Sequence, residues 1–390
     1  MKILIQMGDS YPDESPCAKR MRTFHDVFVA NGNEVIILAP RTTNSLIENE
    51  DTIYCPTVPL KKKNTLYRFL NSYIFAVSSF FMAKKINNID VVITTAPPPL
   101  INKWGLRIAK IHKAILVYDV RDIWPDVAWE MGSFSKDSIY SRVFEHIRNS
   151  MLKEADMTIA VSPGKVKKLQ SYNKKATIVE ITNGLDEDFL NNAIDQVIIQ
   201  KYGLDKQFSV CYIGNLGLAQ GLIQLLNIAL RAQELELPVK FYLFGSGVEE
   251  KRLKKYVDIH QINNVVFSGR IPNKTMFTVL KSCKMSFVSL VNENLLDSVP
   301  TKMYEAIGAG CPVLLAACGD SVKVLQNSGL GIAVKPNDIE EIWGAFLEMY
   351  QHIDIYEEKR EQALKYILDN YSRQKAATEF ERILEKMVEK

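Results

Sequence analysis

Twice in this chain a short apolar run that reads as a buried strand gives way to a small-residue loop and then to helix-period spacing. KILIQM at 2–7 runs into Gly8-Asp9-Ser10-Tyr11-Pro12 and a helical stretch from Cys17 to Asn31, and Gly32-Asn33 then turns into a second strand at 34–39. The order begins again with a strand at 209–213, the loop 214–221 and a helix at 222–234. Strand–loop–helix alternation builds a parallel sheet with helices on both faces, so the fold class is α/β and doubly wound. The chain's 390 residues exceed one ordinary domain and suit two. The turn Thr182-Asn183-Gly184-Leu185-Asp186 places the boundary near 190. Further strands are expected at 90–95, 114–119, 157–161, 177–181, 241–244, 265–268 and 311–315. Helices are expected at 100–112 and 339–350, with a charged helical tail over 356–390.

Composition excludes several classes. Hydrophobic residues make up 47% and charged residues 24%, the balance of a globular chain. The net charge of +3 gives no reason to expect nucleic acid, and the surplus sits in residues 1–190 at +4 against −1 for the remainder. Six cysteines with no Cys-x-x-Cys pairing and five scattered histidines argue for a reducing cytoplasm and against zinc or a disulfide framework. The apolar run after Met1-Lys2 is too short for a secretory signal.

The stretch DSVPTKMYEAIGAGCPV, 297–313, carries the densest chemistry. Asp297 and Glu305 are eight positions apart, which on one helix would be about 80° of wheel and ~12 Å of axis. Pro300 suits the first turn of a helix, so the helix is expected to start there, with Ser298 as its candidate cap. Asp297 then falls in the loop before it and Glu305 on its second turn. The amides of Thr301, Lys302 and Met303 would face whatever lies at that mouth, and a helix N-terminus beside a lysine is an anion site. An ordinary helix start with Glu305 facing solvent fits the spacing too. The small residues 306–310 would let the helix lie close to a neighbouring backbone.

Three other stretches hold candidates. Gly8, in the loop after the first strand, stands where open sheets bind ligands, although a plain turn reads equally well. At 119–126, DVRDIWPD crowds Asp119, Arg121, Asp122 and Asp126 at a strand end, beside Trp124 and Trp129; a ligand site and a salt-bridged turn over core tryptophans both fit. Gly214-Asn215-Leu216-Gly217-Leu218-Ala219-Gln220-Gly221 can cradle phosphate with its amides, but its spacing is neither a dinucleotide fingerprint nor a P-loop. Lys61-Lys62-Lys63 precedes an aromatic segment, 66–82, which reads either as a core helix or as a basic surface lying on an anionic membrane. Arg68, Asn71 and Ser72 interrupt it too early for a membrane span.

The segment 297–313 resembles the signature helix of retaining nucleotide-sugar glycosyltransferases of family 4. Their usual pattern is two glutamates with seven residues between them, a small-residue turn, Gly-x-Pro and a strand. Asp297 stands at the first glutamate and Glu305 matches the second. P-T-K-x-Y-E and R-D-I-W-P-D look most like the branch that builds bacterial O-antigens and capsules, N-acetylfucosamine transferases included. The resemblance implies the GT-B architecture: two Rossmann-like doubly wound domains facing across a cleft. It makes 1–190 the acceptor domain and 191–370 the donor domain, with 371–390 a helix crossing back to the first.

It also implies a retaining hexosyltransferase that moves a sugar from a nucleoside-diphosphate donor, a UDP-linked N-acetylated or deoxy hexose, to a glycan or undecaprenyl-diphosphate-linked acceptor. Asp297 would hold the sugar hydroxyls and Glu305 the ribose. Lys302, with Thr301, Met303, Gly214 and Arg270, would hold the diphosphate, and Ile271 would lie beside the base. Asp122 would serve the acceptor. The family's usual glycines near Gly8, its histidine at Arg121 and its cations at Asn215 and Gln220 are replaced here. No metal or other cofactor is implied, and the expected location is cytoplasmic, with membrane contact through Lys61–Lys63. Two rivals are a sugar-nucleotide epimerase of the same architecture and a catalytically silent partner protein.

Overall fold

The computed structural model describes residues 1–9, 15–41, 51–58, 65–133 and 135–389. The chain divides into two compact units, Met1–Asn183 with Arg373–Lys390, and Gly184–Ser372. The division at Asn183 falls seven residues before the turn-based boundary, at the start of the Asn-Gly turn itself.

The first unit is built on seven strands: β1 (Lys2–Gln6), β2 (Glu34–Pro40), β3 (Thr52–Cys55), β4 (Val91–Ala96), β5 (Ile115–Val120), β6 (Met157–Ala160) and β7 (Ile178–Glu180). They pair in parallel in the order β3-β2-β1-β4-β5-β6-β7. Ile5 of β1 sits between Ile37 of β2 and Ile93 of β4 on one face, and Leu4, Leu38 and Val92 lie on the other, so the sheet centre is apolar on both faces, as a sheet covered on both sides requires. On one face the helix Pro16–Ala30 packs with the last helix, Arg373–Val388; the Phe24 and Phe380 rings meet at a tilt, 5.1 Å between centroids. The chain's end is therefore part of the first unit's core, with Phe380 and Leu384 fully buried. The other face is covered by the helices Thr65–Ala83, Asn102–His112 and Ile139–Glu154.

The helix Thr65–Ala83 packs one side into the core, as the core-helix reading expects, and leaves large side chains exposed on the other. Phe75, Ala76, Ser79 and Ala83 are buried, whereas Leu70, Tyr73 and Phe81 are exposed. Lys61–Lys63 lie outside the described residues. Among the described residues no helix is long and apolar enough to cross a membrane.

The second unit holds β8 (Phe208–Ile213), β9 (Val239–Phe244), β10 (Val265–Gly269), β11 (Met285–Ser289), β12 (Val313–Ala316) and β13 (Gly331–Val334). They too are parallel, in the order β10-β9-β8-β11-β12-β13. Two Rossmann-like units with helices on both sheet faces constitute the GT-B fold. In each sheet the winding reverses beside the first strand of the unit, between β1 and β4 and between β8 and β11. Loops leaving the strand ends part at such a point and open a crevice.

Candidate active site

In the second unit the crevice is framed by the loop after β8, residues 214–221, and the segment after β11 that leads into the helix Thr301–Gly308. Lys302 spans it. Its Nζ donates to Tyr212 Oη at 2.7 Å and to Gln220 Oε1 at 2.8 Å, and lies 4.1 Å from the Tyr212 ring centroid. Tyr212 Oη donates in turn to the Asn215 carbonyl at 2.6 Å, and the Gln220 carbonyl accepts from Ser289 Oγ at 2.5 Å. The ammonium is thus fixed by the strand end and by the loop that together form the crevice.

Glycine makes this possible at two positions. Gly214 has φ +144°, and a Cβ there would stand 3.3 Å from Lys302 Nζ. Gly245, after β9, has φ +155°, and a Cβ there would land inside contact distance of the Gly214 carbonyl oxygen. The two loop backbones can lie against each other only because Gly245 carries no side chain, and Lys302 has room beside the loop because Gly214 carries none.

The helix begins at Thr301, with Pro300 at the cap position and no side chain capping it. The expectation that Ser298 caps this helix is corrected: its amide donates to the Leu295 carbonyl at 3.3 Å, and the fixed φ of Pro300 puts the cap position two residues beyond it. Met303 also drops out as an amide donor to a ligand, because its N–H closes on the Pro300 carbonyl at 3.0 Å and its side chain is fully buried. The amides of Thr301 and Lys302 donate to nothing among the described residues. The mouth of the helix therefore presents two free N–H groups and one ammonium, the chemistry of an anion site. Burial lowers the Lys302 pKa to about 7, while the nearby Glu305 charge pulls it upward.

Glu305 and Asp297 are nearly buried, at 8% and 9% exposure, and both are engaged by neighbouring groups. The reading in which Glu305 faces solvent is excluded. Gly308, on the same helix, packs so closely on Leu185 that a Cβ would stand 2.6 Å from Leu185 Cδ2, which is how the small residues let this helix sit low. Arg270 and Ile271 follow β10 at the far side of β9. Arg270 is exposed and its Nε donates to Ser246 Oγ at 2.6 Å, so no bond joins it to the Lys302 group. Asn215 is exposed in the loop.

In the first unit the crowding of acids after β5 resolves into separate structural pairs. Asp119 is fully buried, paired with Arg20 at 3.0 Å and accepting from Thr95 Oγ1 at 2.7 Å. Asp126 is buried against Arg148 and accepts from the Tyr172 hydroxyl. Arg121 donates to Thr95 Oγ1 at 3.0 Å and to the Pro97 carbonyl at 2.7 Å, so its guanidinium is held by β4 and the turn after it. Asp122 alone of the four makes no ion pair or side-chain hydrogen bond among the described residues. Trp124 stands edge-on to Phe144 and Trp129 donates to Ser141 Oγ at 2.9 Å; both are half-buried. Gly8 makes its close approach to the ring of Pro98, where a Cβ would collide.

Sequence reasoning missed Tyr212. The available signal was a tyrosine in an otherwise apolar strand two residues before a glycine loop, since a buried phenol needs a partner. Among the described residues no cluster of three His, Cys, Asp or Glu side chains could hold a metal ion.

The fold and the two halves' sequences define a class. Residues 18–189 match the family model for Glycosyltransferase Family 4, and 195–369 match that for Glycosyl transferases group 1. The chain is a GT-B glycosyltransferase of the group 1/family 4 type. It is 22% identical to the glycosyltransferase MJ1069 of Methanocaldococcus jannaschii over 61% of this chain, an alignment spanning 60% of that relative. It is 24% identical to WcaI of Escherichia coli K12, named for colanic acid biosynthesis, over 74% of this chain and 73% of that one. The structure of HepE from Anabaena in complex with UDP-glucose superposes with a TM-score of 0.77 at 15% identity, covering 99% of this chain and 100% of that one.

Proposed function

We propose that this chain is a retaining hexosyltransferase that takes a sugar from a UDP-linked donor, an N-acetylated or deoxy hexose. The acceptor in this reading is a glycan or an undecaprenyl-diphosphate-linked glycan of bacterial surface polysaccharide synthesis. The observation that carries the proposal is Lys302, held at 2.7 Å and 2.8 Å by Tyr212 and Gln220 at an uncapped helix start. A fixed cation and two free amides suit a diphosphate that gains charge as it leaves an anomeric carbon. The UDP-glucose complex of HepE and the name of WcaI support the donor class and the polysaccharide context.

In this reading Lys302 and the Thr301 and Lys302 amides hold the diphosphate, with Gly214 giving the backbone clearance. Glu305 binds the ribose and Asp297 the sugar hydroxyls. The bond between C1 and the phosphate oxygen breaks as the acceptor oxygen bonds to C1 on the same face, and the acceptor proton passes to the leaving phosphate. Asp122 is assigned to acceptor orientation. No metal takes part, and the enzyme acts in the cytoplasm against the membrane that carries its acceptor. Asp297 is one methylene shorter than the family's glutamate, so Asp297→Glu should shift donor preference; an unchanged ranking across a donor panel would refute that assignment.

The test is binding. Purified protein is unfolded thermally against uridine, guanosine, thymidine and adenosine diphosphates, with Lys302→Ala beside it. Ligand at a hundred times Kd stabilises the fold by ~2.7 kcal/mol. The reading expects a shift with the uridine compound that the variant loses; no shift with any of them would favour the silent-partner alternative.

A further inference from the structure

On the first unit the helices Asn102–His112 and Ile139–Glu154 pack side by side and the helix Thr65–Ala83 lies against the first of them. A groove of about 460 Å³ runs along this face. Lys103 and Arg107 on one helix, and Arg142 and His146 on the other, line it in i, i+4 pairs that put all four on the groove side. None of the four is in an ion pair among the described residues, and no carboxylate lines the groove. The remaining walls are apolar or aromatic. Trp104 lies under the Arg107 guanidinium at 4.2 Å and meets Tyr73 edge-on at 6.4 Å. The apolar character continues outward: Tyr73 is 46% exposed, Val143 42% and Ile139 73%.

A patch of this composition has one natural occupant. Large apolar side chains left in water beside unpaired cations, with tryptophan and tyrosine at the border, match the boundary between acyl chains and anionic headgroups. We infer that this face docks the chain on an anionic phospholipid bilayer, with headgroup phosphates in the groove on Lys103, Arg107, Arg142 and His146, and Tyr73, Ile139 and Val143 entering the interface. The inference deepens the membrane-facing part of the proposed function and rests on it. Apart from Tyr73, which lies in the aromatic segment 66–82, it assigns the contact to residues that sequence reading did not single out.

The experiment is co-sedimentation of the full chain with vesicles of phosphatidylcholine alone or with phosphatidylglycerol. Each cation near such a surface is worth about fivefold in partitioning, so Arg107→Gln with Arg142→Gln should lower binding about thirtyfold. Val143→Ser with Ile139→Ser should lower it while leaving its salt dependence intact. Lys251→Glu with Lys255→Glu, an exposed pair on the second unit, is the control for net charge and should have a lesser effect. Equal binding to both vesicles, or a control loss equal to that of the groove variant, would overturn the inference. So would groove-dependent retention on polyuridylate with none on vesicles. Transfer to a soluble glycan acceptor is measured in parallel: groove variants that transfer normally but no longer bind vesicles separate this docking role from the transferase reading.

Discussion

Lys302 is held in place against its own solvation, and the consequence for stability can be worked through. Its pKa falls from 10.5 to about 7 because burial strips water from the ammonium. A fall of that size corresponds to ~5 kcal/mol of destabilisation, fully present below pH 7. Between 7 and 10.5 the unfolded chain binds the proton that the folded chain has released, so wild-type stability rises with pH across that window and levels off above it. Lys302→Met removes the charge but leaves Gln220 Oε1 without its donor, which costs about 1–3 kcal/mol. The variant should therefore be ~2–4 kcal/mol more stable than wild type at pH 6, roughly 8 °C in Tm for a unit of this size. By pH 10 wild type regains ~4 kcal/mol, so the advantage should be gone and the variant should be equal to wild type or less stable by up to ~2 kcal/mol. Thermal unfolding of both proteins at the two pH values, with other groups cancelling in the difference, makes the measurement. A variant no more stable at pH 6, or an advantage equal at both pH values, would refute the reasoning.

The same titration acts on function. A diphosphate binds the protonated lysine, so its Kd should rise about tenfold per pH unit above 7, and a flat calorimetric profile would contradict the assignment. Gly245→Ala should push the Gly214 carbonyl out of place, lowering Tm by several degrees and abolishing nucleotide binding, whereas Gly344→Ala, with open space around it, should leave both nearly unchanged; equal behaviour of the two would sink the loop-contact account. Asp119→Asn strands the buried Arg20 charge and should cost about 3–5 kcal/mol in denaturant unfolding; a loss under 1 kcal/mol would mean that pair is not structural.

Much of this architecture could be read from local pattern. The strand–loop–helix restarts at 2–39 and 209–234 correspond to β1, β2, β8 and the helices between, because continuous apolar runs in a doubly covered sheet are unambiguous. The strands β3, β11 and β13 were not legible: each has four or five residues, and their identity rests on lateral pairing with another strand of the sheet. The helix at 301 was placed by its proline, yet its capping was not, since Ser298 satisfies the residue preference but lies two positions too early. At 119–126 the spacing showed four charged groups together but could not show that Arg20 and Arg148 reach in from distant helices to pair with Asp119 and Asp126. Tyr212 escaped because its partner, the Lys302 ammonium, is 90 residues away.

The central claim is transfer of a sugar from a nucleotide donor with its anomeric configuration kept. Its most direct test is proton NMR of the product formed from an α-linked UDP-sugar and a polyprenyl-diphosphate-linked or soluble glycan acceptor. The account predicts that C1 of the transferred sugar shows the small coupling of an α-linkage from the first turnover, and that Asp297→Asn slows its appearance by about a hundredfold. A β-linked product, or sugar-nucleotide conversion with no acceptor present, would contradict it.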